Sequence, residues 1–135
     1  MGTITANISL SSSDVLPSPM SVTTEAVLSA DSGSLVRAQV KGTTADTDDL
    51  VLYKANDKLE RAYLYIKNLD SELENYIIVR NETESNTAVV AKIGGGEFAF
   101  IPVGVDKTYE AIGTKANQTI EYGVFGFDNS SVSLA

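Results

Sequence analysis

Residues 61–68 read Arg61-Ala62-Tyr63-Leu64-Tyr65-Ile66-Lys67-Asn68, and their pattern decides the fold class. Ala62, Leu64 and Ile66 fall on one side of an extended chain, and Tyr63 and Tyr65 on the other. Successive side chains of a strand point to opposite faces of its sheet, so a two-residue period predicts a strand. A helix would need its apolar residues three and four positions apart. The same period recurs in both directions along the chain. Upstream, Ile4, Ala6, Ile8 and Leu10 alternate with Thr3, Thr5, Asn7 and Ser9, and residues 21–30 and 35–40 repeat the pattern. Downstream, Tyr76-Ile77-Ile78-Val79 is an unbroken apolar run, as in a strand covered on both faces. Phe98 and Phe100 share one face of residues 97–102, and Ile120, Tyr122 and Val124 alternate with Glu121, Gly123 and Phe125. Phe98, Phe100, Ile77, Val79, Ile120 and Tyr122 are expected in the core or in a subunit interface.

The segments between these runs carry turn chemistry. Pro17 and Pro19 break residues 11–19, because proline donates nothing to a ladder and restricts the residue before it. Asp31-Ser32-Gly33-Ser34 reads as a turn, and residues 43–49 as a polar loop. Residues 69–75 are acidic and fit one helical turn, residues 81–86 fit a polar hairpin loop, and Gly94-Gly95-Gly96 fits a hairpin turn or a bulge. About 8–10 short strands at a spacing of roughly 8–12 residues indicate an antiparallel sandwich or barrel. The expectation is an all-β fold, an antiparallel β-sandwich that is jelly-roll-like. Residues 1–135 are expected to form a single β domain, with residues 1–20 as an extended arm or exchanged strand.

Composition narrows the function. The chain of 135 residues has no Cys and no His. Histidine is the usual general base and a common metal ligand, and cysteine the usual sulfur nucleophile, so most catalytic and transition-metal chemistry is given up. The formal net charge of −8 repels phosphate backbones and anionic membrane surfaces, so neither nucleic acid nor membrane is an expected partner. No segment reaches the ~20 apolar residues of a membrane span. The first residues lack the basic and apolar regions of a signal peptide, and Ala6 breaks the myristoylation pattern at Gly2.

The remaining constellations are weak. Asp46, Asp48 and Asp49 are spaced as calcium ligands sometimes are, but the loop lacks the glycine and terminal glutamate of an EF-hand. Glu72 with Glu74, and Glu82 with Glu84, lie in polar loops where carboxylates are solvated. Gly94–96 separates two strands and has no Gly-Lys-Ser/Thr continuation, so it is no phosphate cradle. No catalytic residue, metal or cofactor is expected. Tyrosine buries a large area while keeping a polar tip; Tyr63 and Tyr65 face away from the aliphatic positions of their strand, and one of the two faces must meet a second sheet, a neighbouring subunit or a ligand.

The run Tyr63-Leu64-Tyr65-Ile66-Lys67-Asn68, then Ile77-Ile78-Val79, then Gly96-Glu97-Phe98-Ala99-Phe100-Ile101-Pro102, then Ile120-Glu121-Tyr122-Gly123-Val124-Phe125 resembles small β-sandwich virion proteins of tailed bacteriophages. Asn7-Ile8-Ser9-Leu10 leading to Asp14-Val15-Leu16-Pro17 is similar as well. The resemblance implies a non-enzymatic capsid decoration (cement) protein. Its partners would be the major capsid protein and further copies of itself, as a homo-oligomer and most simply a trimer. Its location would be the capsid exterior, after synthesis in the host cytoplasm, where a chain without disulfides is at home. A tail or fibre-base component and a carbohydrate-binding or adhesin module are the alternatives. The candidate interface residues are Tyr63, Tyr65, Ile4, Ile8, Leu10 and Leu16.

Overall fold

The structure is a computed structural model describing residues 2–41, 43, 49–82 and 87–128. Asp46, Asp48, Glu84 and the centre of the 81–86 loop lie outside the described residues, and Glu82 is described only in its backbone. The strands are β1 (Gly2–Ser12), β2 (Met20–Ala30), β3 (Ser32–Val40), β4 (Leu50–Tyr53), β5 (Arg61–Asn68), β6 (Ile77–Glu82), β7 (Thr87–Ile93), β8 (Phe98–Val103), β9 (Thr108–Gly113) and β10 (Gln118–Phe127). No helix occurs among the described residues. The acidic stretch 69–75 is a loop rather than the expected helical turn. The Asp70 carboxylate accepts the Glu72 N–H at 2.9 Å and the Asn75 amide at 3.0 Å, which satisfies these donors outside a helix.

The chain divides into two compact units, Met1–Asp31 and Ser32–Ala135. The boundary between the units falls at Asp31. In the first unit β1 pairs antiparallel with β2 along its whole length, from Gly2 opposite Ala30 to Ser12 opposite Met20. The first strand thus finds its partner in its own chain, eight residues further on, as sequential strands commonly do.

The second unit is a sandwich of two four-stranded antiparallel sheets, ordered β3-β10-β5-β8 and β4-β9-β6-β7. Counting its eight strands from β3, the orders are 1-8-3-6 and 2-7-4-5, the jelly-roll arrangement of two Greek keys. Its core is the inner face of each sheet. Val40, Leu64, Ile66, Ile77, Val79, Ala111 and Ile120 are fully buried, and Tyr122 and Val124 pack against them. Two core tyrosines, Tyr53 and Tyr109, lie 6.2 Å apart and reach partners with their polar tips. The Tyr53 hydroxyl donates to the Val105 carbonyl at 2.9 Å, and the Gly104 N–H donates to the Tyr109 hydroxyl at 3.0 Å. Each hydroxyl is thereby paired where an orphan would be costly.

Two turn assignments change. Asp31 alone separates β2 from β3, because Ser32 and Gly33 already pair with Gly126 and Phe125 of β10. Gly94–96 is no hairpin turn: it joins β7 in one sheet to β8 in the other. The Glu97 N–H donates to the Gly94 carbonyl at 2.9 Å, and Gly96 has φ +85°, as in a type II turn.

Candidate interaction surfaces

The registers fix which side chains share the outer face of the β3-β10-β5-β8 sheet. With Leu64 and Ile66 inward, Arg61, Tyr63, Tyr65 and Lys67 of β5 point outward. Directly opposite them are Pro102, Phe100 and Phe98 of β8, and Phe127, Phe125, Gly123 and Glu121 of β10. Across β10, the outward positions of β3 are Gly33, Leu35 and Arg37. The face therefore gathers six aromatic rings and one leucine.

These rings are ordered among themselves. Tyr63 is buried and stacks on Phe100, with centroids 5.9 Å apart and planes 8° apart, and the Arg61 guanidinium lies 5.6 Å from the Tyr63 ring. The Phe125 ring lies over two glycines: a Cβ added to Gly33 would fall 2.6 Å from it, and one added to Gly123 3.0 Å. An aromatic ring covering cross-strand glycines restores the packing that a missing side chain gives up. The Tyr65 hydroxyl donates to Glu121 at 3.0 Å, and Arg37 pairs with the same carboxylate at 3.5 Å. Partial burial, and then the Glu121 hydrogen bond, push the Tyr65 hydroxyl pKa up from its ordinary value. At the two flanks the face is bare: Leu35 and Phe98 are each 61% exposed.

The first unit carries a second apolar face. The register puts Ile4 opposite Leu28, Ala6 opposite Ala26, Ile8 opposite Thr24, Leu10 opposite Val22 and Ser12 opposite Met20 on one side of the ribbon. The other side is largely polar, with Thr3, Thr5, Asn7 and Ser9 opposite Ser29, Val27, Glu25 and Thr23. Ile8, Leu10 and Val22 are exposed. At the hairpin end the Ser12 hydroxyl accepts the N–H groups of Asp14 and Val15, and Val15 and Leu16 are both exposed.

The structure thus places Tyr63 and Tyr65 on one surface and Ile4, Ile8 and Leu10 on another, with Leu16 in the loop that closes the hairpin. Phe98 and Phe100, expected in the core or an interface, lie on the outer face, whereas Ile77, Val79 and Ile120 are core. The register adds Leu35, Phe125 and Phe127 to the first surface and Val22 and Leu28 to the second. Their alternation is visible in the sequence, but their neighbours across the sheet are set by register.

Among the described residues no cluster of three or more acidic side chains is arranged to hold a metal. Glu72 and Glu74 are solvent-exposed. Two depressions, one lined by residues from Ala91 to Ala99 and one by residues around Ser12 and Met20, are open to solvent. A part-buried ion pair joins Arg80 to the buried Glu110 at 3.4 Å within the second sheet. No helix among the described residues is long and apolar enough to cross a membrane. No family model matches this chain, and a search of curated proteins finds no match.

Proposed function

We propose that this protein is a non-enzymatic structural component of a tailed-phage virion, a decoration protein that binds the capsid exterior and stabilises the shell. The observation that carries the reading is exposed apolar surface in two places, on one face of the hairpin and at the Leu35 and Phe98 flanks of the outer sheet face. Bare apolar surface of this kind marks sites of protein association. The jelly roll recurs in viral shell proteins and in lectins, so the architecture is compatible with the reading without assigning it. A formal charge of −8 suits the outside of a shell better than the inside, where packed nucleic acid repels it. Stabilisation would come from modest buried area repeated at many equivalent positions.

The test mixes the purified protein with empty shells of tailed-phage major capsid protein. Co-sedimentation should saturate at many copies per particle and raise the temperature at which shells rupture. Saturation at a handful of copies would point to a tail position, and no binding at all would end the decoration reading.

A further inference from the structure

We propose that the open edge of β1 docks a second copy of this chain, the two β1 strands pairing antiparallel about a two-fold axis into a four-stranded ribbon, β2-β1-β1-β2. The contact involves the first unit alone, concerns the free protein and does not depend on the shell.

A comparison of the sheet edges singles out this strand. Among the described residues the three sheets leave six edge strands. An open edge is a template for another extended chain, so proteins blunt it with a charge, a proline, a bulge or brevity. Five of the six are blunted. β2 carries Glu25 at its middle, β3 carries Arg37, and β8 carries Pro102. β7 carries Lys92 and bulges at Val90, where its register with β6 shifts. β4 has only four residues and a register shift of its own. β1 has none of these devices. Its eleven residues include no charged side chain and no proline, and its register with β2 is continuous from end to end. All of them except Ile4, Ala6 and Ser12 are exposed.

The strand that fits this edge is β1 itself. Full antiparallel overlap of two copies sets Gly2 opposite Ser12 and Asn7 opposite its own counterpart. The same register matches the side chains. On the apolar side Ile4 meets Leu10, and the small Ala6 meets the large Ile8. On the polar side Thr3 meets Ser11 and Thr5 meets Ser9, pairs that hydrogen-bond across strands. A slip of one residue would set the apolar side of one copy against the polar side of the other. Eleven antiparallel positions supply about ten backbone hydrogen bonds. With no ionisable side chain on β1, no like charges meet across the axis. The pairing also answers a weakness of the first unit. A lone two-stranded hairpin is marginally stable in water, and independent stability takes three or more strands with an apolar face. The first unit has two strands, and a second copy makes four. A two-fold contact closes on itself, and the outer β2 edges, each bearing Glu25, discourage further strands, so assembly stops at the dimer.

Two measurements on the full chain test this. In sedimentation velocity, wild type should be dimeric at about 100 μM, roughly tenfold above a Kd of about 10 μM. Asn7→Lys should weaken the dimer by about fivefold in low salt and by less in high salt, because two ammonium groups then face each other across the axis. The hairpin itself tolerates this change, because Asn7 lies opposite Glu25 of its own chain and the new charge is attracted there. Cross-linking reads the register. The chain has no Cys, so an introduced thiol can link only to its counterpart in another copy. Asn7→Cys sets the two thiols on directly opposite residues, with Cα atoms about 4.5–5.5 Å apart and within disulfide reach. Thr3→Cys, on the same side of the ribbon, sets them about 26 Å apart. Air oxidation should therefore link Asn7→Cys at least about tenfold faster than Thr3→Cys. A wild type that stays monomeric, as it would if this edge served a strand of another protein, would overturn the proposal. Equal cross-linking at the two positions, or a dimer that Asn7→Lys leaves unweakened, would do the same. None of these results touches shell binding, which is measured separately.

Discussion

Leu64→Ala tests the inside-outside assignment on which both surfaces depend. Leu64 is fully buried at the middle of β5, with Val124 and Ile101 directly opposite it on the two flanking strands. Removing three carbons forfeits about 2–2.5 kcal/mol of transfer free energy at about 0.8 kcal/mol per methylene group. The backbone ladders on both sides hold the strands apart, so the site collapses little and a cavity term is added. The expected loss is about 3–4 kcal/mol. The assay is urea unfolding followed by tyrosine fluorescence. All six tyrosines lie beyond Asp31 and there is no Trp, so the signal reports the sandwich alone. With a slope of about 1.5–2 kcal/mol per molar urea, the midpoint should fall by about 2 M. The matched control is Phe98→Ala on the bare flank of the outer face, which should cost about 1 kcal/mol or less. Both are measured in dilute solution, so that association does not stabilise the native state. A loss below about 1 kcal/mol at Leu64, or an equal loss at Phe98, would mean that the faces are assigned the wrong way round.

The glycine turn offers a second contrast. A Cβ on Gly95 would fall 2.3 Å from the Glu72 carbonyl and 2.7 Å from that of Asp70, both backbone atoms, so Gly95→Ala should cost about 3 kcal/mol in the same assay. Gly96 has open space around it and only its φ of +85° to strain, so Gly96→Ala should cost about 1–2 kcal/mol. The Asn75 amide first, and then the Glu72 N–H, hold the Asp70 carboxyl below its ordinary range. The folded pKa is thus below the unfolded one, so the stabilisation is present above about pH 4 and disappears as pH falls through the folded value. Asp70→Asn should flatten the acid limb of a stability-pH curve. Tyr65 is shifted upward, so its contribution is present below about pH 10 and lost as pH rises beyond it, and Tyr65→Phe should flatten the alkaline limb. Deleting residues 1–31 should leave the tyrosine unfolding transition in place, because every residue of the core cluster lies between Val40 and Ile120. Loss of that transition would show that the two units fold as one.

The strands were legible in the sequence because their period is local. Ala62, Leu64 and Ile66 against Tyr63 and Tyr65 need no knowledge of what lies beside β5, and the opposite faces follow from parity alone. The two turn assignments that changed were settled by partners far away in sequence. Asp31-Ser32-Gly33-Ser34 has turn composition, yet Gly33 stays in a ladder because Phe125, about ninety positions later, pairs with it and covers it. Gly94–96 has hairpin composition, yet it crosses between sheets because β8 pairs with β5 rather than with β7. The candidate surfaces divide in the same way. Parity puts Tyr63 and Tyr65 on one face without telling whether it is the inner or the outer one, and a pair is too small to bind anything strongly. The pair becomes an extended face only when register sets Phe98 and Phe100 on one side of it and Phe125, Phe127 and Leu35 on the other. Ile4, Ile8 and Leu10 likewise become a face only when β1 pairs with β2, which adds Val22 and Leu28. Parity tells which side of a strand is apolar, and register tells how much apolar area accumulates there. Apolar area of this extent exists only because long-range pairing sets the register.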